Sequence, residues 1–331
     1  MNIIVTGGAG FVGQNLCERL LRDGHQVMCI DNLSTGSIDA LHNLSNASIP
    51  SKFCWMCYDV EDPMEGILAY IEEFFDGTVN QIFHLACPAS PAHYQIDPIK
   101  TLMTSVLGTK NILELGRASG AKVLFTSTSE IYGDPEVDIQ KEDYHGNVNC
   151  TGPRACYDEG KRAAESLCFD YVRKYRIPVK VVRIFNTYGP KMSPTDGRVV
   201  SNFIVQALLG ENLTIYGNGE QTRSFCYVTD LVEGLIRMMD TGPDVVGPIN
   251  LGNPSEITVN TLGDIILGLI NTNSKLSYVP LPTDDPCKRK PDITVAKKEL
   301  DWEPKVDLQS GLRKTINFFK NLNLETAEEF E

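Results

Sequence analysis

The stretch VTGGAGFVGQNL, Val5 to Leu16, limits the possible folds of this chain more than any other. A short β-prone run leads into Gly7, Gly10 and Gly13, and a helical pattern opens directly behind them. Strand, glycine turn and helix in that order form the first crossover unit of a dinucleotide-binding α/β fold. The first glycine permits the tight turn, the second lets backbone approach a pyrophosphate, and the third lets the helix pack on the strand. The helix N-terminus then turns its N–H groups and positive dipole end toward the phosphates. Asp31 ends the second strand in MCIDNLSTG, 18 residues beyond Gly13. A carboxylate there accepts hydrogen bonds from an adenosine ribose and repels the extra phosphate of NADP, so NAD is the expected cofactor. Asp59 and Val60 close the third strand and are expected to border the adenine, although an aspartate at such a place also serves as a cap.

The rest of the first half repeats the alternation. Strands are predicted at 3–6, 26–30, 53–58, 81–85, 122–127 and 179–184, with helices at 101–118 and 155–174. Strands alternating with helices imply a parallel sheet with crossover helices. The expected fold is α/β, a Rossmann-type doubly wound parallel sheet with a smaller α/β C-terminal substrate lobe. Residues 1–187, with the chain returning at about 228–255, are assigned to the NAD-binding domain. Residues 188–227 and 256–322 are assigned to the substrate lobe, and 323–331 to an acidic tail. Within that lobe, a helix is predicted near 199–209 and strands at 214–216 and 224–227.

Composition narrows the function. The net charge of −13 argues against broad nucleic-acid binding, which needs basic surface. Lys288, Arg289 and Lys290 form a local basic cluster suited to an anionic small molecule. No apolar run reaches the ~20 residues of a membrane helix, and no signal segment opens the chain, so a cytoplasmic protein is expected. Ten cysteines are scattered along the chain and read as reduced thiols. Cys54 and Cys57 match C-x-x-C, but inside a predicted strand and without a second pair or a histidine pattern, so no metal is expected.

Two further features carry chemistry. LFTSTSEIYGDPEV, Leu124 to Val137, ends a strand in Ser127, Thr128, Ser129 and Glu130. GPRACYDEGKRAAE places Tyr157 and Lys161 at i and i+4, on one face of a helix. A phenol titrates near ~10; a neighbouring ammonium favours the phenolate, which can take a proton from an alcohol while hydride leaves its carbon. Either feature alone occurs by chance. Beside the glycine loop they point to alcohol oxidation.

Taken together, GGAGFVG, DNLSTG, HLACPASP, STSEIYG, YDEGK, RIFNTYGP and RSFCYVTDL resemble the extended short-chain dehydrogenase/reductase family over nearly the whole chain. NVNCTGPRACYDEGKR, RIFNTYGPKMSPTDGRVVSNFIVQAL and DDPCKRKPDI are similar to its UDP-glucuronate decarboxylase subgroup. The resemblance implies that NAD oxidises C4 of UDP-glucuronate, that the 4-keto sugar loses carbon dioxide, and that returned hydride gives UDP-xylose. It makes Tyr157 the base, Lys161 its tuning partner on the nicotinamide ribose, and Thr128 a hydrogen bond to the C4 oxygen. Glu130 falls near the C5 face, and Arg289 on substrate phosphate or in closing the site. Cofactor contacts extend by resemblance to Phe11, Val12, Asn32, Leu85, Ala86, Thr187 and Arg198. Substrate contacts fall on Ser129, Asn186 (diphosphate), Tyr216 (uracil) and Arg223 (phosphate, by its two-pronged fork). Tyr216 reads equally as core filling. A homodimer through the helices at 101–118 and 155–174 is implied as well.

Residue 129 discriminates among neighbouring activities. The 4,6-dehydratases carry Asp-Glu where this chain has Ser129-Glu130, because they must protonate a departing hydroxyl. A decarboxylase expels neutral carbon dioxide, and a second carboxylate would repel the substrate's own. Serine at 129 therefore favours decarboxylation. An apiose-forming synthase, a 4-epimerase, a 4,6-dehydratase and a non-catalytic NAD-binding protein stay open as alternatives. Cys87 stands where the subgroup has serine.

Overall fold

A computed structural model describes residues 1–47, 51–281, 288–322 and 324. The strands are β1 (Asn2–Thr6), β2 (Gln26–Asp31), β3 (Phe53–Cys57), β4 (Gln81–His84), β5 (Lys122–Thr128), β6 (Val179–Ile184) and β7 (Thr187–Tyr188), then β8 (Leu213–Tyr216), β9 (Thr222–Ser224), β10 (Cys226–Tyr227), β11 (Ile249–Leu251), β12 (Glu256–Thr258) and β13 (Leu276–Val279). Seven of them form one sheet in the order β11-β6-β5-β4-β1-β2-β3. Every pairing in it is parallel. Chain direction across the sheet reverses between β1 and β4, the switch point at whose C-terminal edge α/β folds bind ligands.

Period-two alternation distributes the side chains between two faces. Ile3, Val5, Cys29, Phe83, Leu124 and Val182 pack with Leu16 and Leu20 of the helix Phe11–Arg22 and with Leu231, Leu235 and Met238 of the helix Val228–Asp240. Ile4, Ile30, Ile82, Val123, Phe125 and Val181 face the other way, onto Ile71, Ile112, Ala164 and Cys168. Because both faces are covered, the central strands read as apolar runs. A separate core gathers Phe203, Ile204, Leu213, Ile215, Leu262, Ile266, Leu312 and Phe319.

Two elements differ from expectation. The segment expected as one helix at 101–118 is a helix Pro98–Met103, a π-helical turn Thr104–Gly108 and a helix Thr109–Ser119. The wide turn seats Thr104 Oγ1 on Glu61, 2.6 Å away, and places Gly108 so close to Val60 that a Cβ would lie 2.6 Å from its side chain. The single strand expected at 224–227 is two. Thr222–Ser224 pairs antiparallel with β12, and Cys226–Tyr227 pairs parallel with β7. Of DDPCKRKPD, the described part begins at Lys288, and the tail expected at 323–331 lies, Leu324 excepted, outside the described residues.

Candidate active site

The C-terminal ends of β1, β4, β5 and β6 open into a cavity of about 1390 Å³, walled on the far side by Tyr216, Arg223 and Phe225. Its floor is the glycine loop. Gly7 adopts φ +71°, and a Cβ on it would lie 2.8 Å from the Ala86 nitrogen. A Cβ on Gly13 would lie 2.1 Å from the Gly7 oxygen. Bare backbone therefore faces the cavity at the start of the helix Phe11–Arg22, as a pyrophosphate cradle requires. Asp31 braces the loop: its carboxylate accepts the N–H groups of Ala9 (3.0 Å) and Leu33 (2.8 Å). Burial raises its carboxyl, and those two bonds oppose the rise. Phe11, Val12, Asn32, Val60, Leu85 and Ala86 line the same cavity. Asp59 stands outside the lining; it takes Lys100 Nζ and Asn32 Nδ2, at 2.7 and 2.8 Å. These residues fit a dinucleotide.

The helix Ala155–Tyr175 runs beside β5 and carries Tyr157 and Lys161 into the wall. Thr128 caps the 3-10 turn Ser129–Tyr132 through its Oγ1, which accepts Glu130 N–H at 3.2 Å. Thr128 also hydrogen-bonds Tyr157. Burial in the protein works against the expected acidification of Tyr157 by Lys161. Burial pushes the phenol up, the nearby Cys87 adds to it, and the Thr128 bond only partly opposes them. Lys161 Nζ instead donates to the Thr126 carbonyl at 2.9 Å and lies 4.8 Å over the Phe125 ring and 6.0 Å from the Tyr157 ring centre. Burial lowers its own pKa. Cys87 lines the cavity with its Sγ 3.2 Å from Ser105 Oγ.

Glu130 is the centre of a buried ion cluster. Its Oε2 receives Arg154 Nη2 at 2.6 Å and Arg289 Nη2 at 3.2 Å, and its Oε1 receives Arg289 Nε at 3.3 Å. Burial alone would raise this carboxyl, but the charges of Arg289 and Arg154 outweigh it and hold it at about 2. Arg289 is only 2% exposed and also donates to the Gly133 carbonyl at 2.5 Å. It is thus a buried cavity-wall residue engaged with Glu130 and not a surface charge. Asp158 lies behind the cluster; burial and the Glu130 charge push its carboxyl up to about 7, against the pull of Arg154 and Arg289.

Ser129, Asn186, Thr187, Arg198, Tyr216 and Arg223 all line the cavity. Ser129 is buried, and Tyr216 is 45% exposed, which rules out the core-filling alternative for that ring. Arg198 is held by Asp196 at 2.6 and 2.8 Å. Sequence reasoning missed Tyr94, Arg154 and Asp158. For the last two a signal existed: Arg154, Tyr157, Asp158 and Lys161 fall at i, i+3, i+4 and i+7, a polar stripe on one helix face. Nothing in SPAHY marked Tyr94, whose ring stacks on that of Tyr157.

A phenol and a hydroxyl set at the mouth of a bare-backbone phosphate cradle define a Rossmann-type enzyme working on an alcohol carbon. The chain belongs to the NAD dependent epimerase/dehydratase family, whose sequence pattern matches residues 3–252. It is 50% identical over 318 residues to UDP-glucuronic acid decarboxylase 1 of Xenopus tropicalis, covering 96% of this chain and 72% of that one. It is 51% identical to UDP-glucuronic acid decarboxylase 6 of Arabidopsis thaliana, covering 94% and 87%. Among solved structures it is similar to the UDP-glucuronic acid 4-epimerase of Bacillus cereus in complex with UDP-glucuronic acid and NAD. The TM-score is 0.85 at 25% identity, with 97% and 99% of the two chains covered. A UDP-glucose 4-epimerase of Thermotoga maritima with UDP-glucose aligns at TM-score 0.86 and 30% identity over 97% and 99%. Among the described residues no helix is long and apolar enough to cross a membrane, and no cluster of ligating side chains could hold a metal.

Proposed function

We propose that this protein decarboxylates UDP-glucuronate to UDP-xylose through a 4-keto intermediate, with NAD held in the glycine cradle and recycled within each turnover. The observation that carries this is the charge of the wall beside Tyr157. Arg154 and Arg289 outnumber the single carboxylate Glu130, and residue 129 is a serine. Such a wall attracts a sugar acid and lacks the second acid that expulsion of a hydroxyl requires. The names of the relatives agree with it.

NAD, when bound on Gly7, Gly10, Gly13 and Asp31, supplies the hydride acceptor and donor at C4, and a cationic ring. Burial alone keeps the Tyr157 phenol protonated. Beside the cationic ring it would be drawn toward the phenolate, and in that form Tyr157 takes the proton of the C4 alcohol while Thr128 holds the same oxygen. With C4 a ketone, the C5 carboxylate is β to a carbonyl. The C5–C6 bond breaks, its electron pair moves to the C4 oxygen as an enolate, and carbon dioxide leaves. C5 then regains a proton. Glu130, ionised at neutral pH, has none to give, so its part is to orient a water or the sugar. Asn186, Tyr216 and Arg223 would hold the UDP part.

The division into an NAD-binding domain and a substrate lobe belongs to the same proposal, as does a homodimer. The exposed Ile99, Leu102 and Met103 of the helix Pro98–Met103, with Ile96 just before it, offer that dimer an apolar face. A cytoplasmic setting accords with the free thiols of the described cysteines. The test is incubation of the purified protein with UDP-glucuronate, without and with added NAD, read by proton NMR. UDP-xylose accumulating over many turnovers is expected. Absence of carbon dioxide release under both conditions refutes the proposal, and UDP-apiose would redirect it to ring rearrangement.

A further inference from the structure

Arg289 reaches Glu130 from the segment Lys288 to Asp292, which belongs to no strand of the seven-stranded sheet. A long side chain keeps one direction only where its backbone is held, so the contacts of this segment decide how the cationic wall is built. Its two lysines contribute little. Lys288 pairs with Asp138, and Lys290 Nζ lies 2.9 Å from Glu256, but the two lysine side chains are 52% and 30% exposed. Solvent leaves such pairs a small net worth. The buried partner of the segment is Gln140, which is 0% exposed and stands outside the cavity lining.

Gln140 takes hold at three points. Its N–H donates to the Lys290 carbonyl and its carbonyl accepts Asp292 N–H, both at 2.9 Å, a one-rung parallel bridge opposite Pro291. A longer ladder would carry Lys290 N–H into its next rung. Here the side-chain Oε1 of Gln140 accepts it, at 2.7 Å. Gln140 Nε2 donates to the Val137 carbonyl at 3.1 Å, so only one orientation of the amide satisfies both of its ends. Asn250, also 0% exposed, closes the cluster. Its Nδ2 donates to the Gln140 and Asp292 carbonyls at 3.0 and 3.2 Å, and its Oδ1 accepts the Tyr132 hydroxyl at 2.8 Å. The Lys290 N–H lies in the peptide plane that ψ of Arg289 orients. The bond to Oε1 therefore fixes that torsion, and with it the direction in which the guanidinium leaves the chain.

We propose that Gln140 is a positioning residue for the reaction: it sets Arg289 on Glu130 and thereby builds the cationic wall that receives the sugar acid. This rests on UDP-glucuronate being the substrate. Without the amide oxygen, Lys290 N–H is a buried donor with no acceptor. The segment then relaxes away from Gln140 and carries Arg289 off Glu130.

Two variants and a double-variant cycle test this. Gln140→Met keeps the size of the side chain and removes both polar atoms. Gln140→Glu, kept protonated by burial, offers the same one acceptor and one donor. Steady-state decarboxylation would be compared with binding of UDP-xylose, which has no carboxylate. Gln140→Met is expected to lower kcat/KM for UDP-glucuronate about 10-fold, the scale of one buried donor left unpaired. Its Kd for UDP-xylose should stay within about 2-fold of the parent, and Gln140→Glu should recover kcat/KM to within about 3-fold. Added to Arg289→Met, Gln140→Met should change kcat/KM by less than about 2-fold, because the residue it acts through is already gone. A purely structural role would repeat the full loss in that background. Such a repeat overturns the inference, as do a parent-like kcat/KM in Gln140→Met and an equal weakening of UDP-xylose. Should Gln140→Met not fold, Gln140→Asn, which withdraws the oxygen by one carbon, takes its place with the same expected and overturning results. If the parent releases no carbon dioxide from UDP-glucuronate, the substrate assignment has failed and this inference with it. A parent that turns over beside an indifferent Gln140 variant defeats this inference alone.

Discussion

Replacing Arg289 by methionine tests how the acid face is held. The Glu130 carboxyl lies at about 2 instead of 4.5 although its side chain is only 16% exposed. That gap corresponds to about 3 kcal/mol in favour of the charged form. Arg289, the larger of the two opposing charges, is 2% exposed, so solvent screens little of it. Methionine keeps most of the apolar stem and removes the fork. Breaking one side of a buried ion cluster costs roughly 3 kcal/mol, which at about 1–2 °C per kcal/mol for a chain of 331 residues lowers the apparent melting midpoint by about 3–6 °C at pH 7. The sign with pH follows from a depressed folded pKa. The stability from Glu130 is fully present above about 4.5 and is lost as pH falls toward about 2. The deficit of Arg289→Met should therefore be largest at neutral pH and shrink toward pH ~3. Circular-dichroism melts of the parent, Arg289→Met, Glu130→Gln and the double variant, each at pH ~3 to ~8, would yield the coupling, expected at about 2 kcal/mol at neutral pH. A deficit that does not change with pH, together with a coupling under about 0.5 kcal/mol, would show that Arg289 acts through the packing of its stem and refute the electrostatic account.

Other expectations follow from single contacts. Asp158→Asn removes a buried carboxyl raised to about 7. A raised acid pKa costs stability above the unfolded value near ~4 and most fully above ~7, so the variant should melt higher than the parent at pH ~8 and alike at pH ~4. Gly13→Ala would drive a Cβ to 2.1 Å from the Gly7 oxygen and deform the cradle; the purified variant should carry no NAD by absorbance and bind it at least ~100-fold more weakly by calorimetry, about 3 kcal/mol of lost contact. Tyr157→Phe should lower kcat by about 10²- to 10⁴-fold with UDP affinity kept, as measured by product NMR and UDP titration.

Much of this protein was legible in the sequence because the signals are local. The cradle rests on glycines within one turn, and the sheet on apolar runs between helical patterns, so both depend on neighbours in the chain. The same holds for Tyr157 and Lys161, four residues apart on one helix. The polar stripe that adds Arg154 and Asp158 was readable too, since helical spacing alone places the four together. Other features needed the folded chain. No local propensity announces the π-turn at Thr104–Gly108; contacts with Glu61 and Val60, across the crossover, select it. Glu130 and Arg289 stand 159 residues apart, and only the tertiary fold makes them one cluster. Tyr94 reaches Tyr157 the same way. Ionisation depended most on the fold. Spacing suggested that Lys161 would acidify Tyr157, but the folded chain seats the ammonium on the Thr126 carbonyl and buries the phenol. Sequence placed the reacting groups on one helix face; burial and the direction of their partners, which arise only when distant segments close over them, decided their charge.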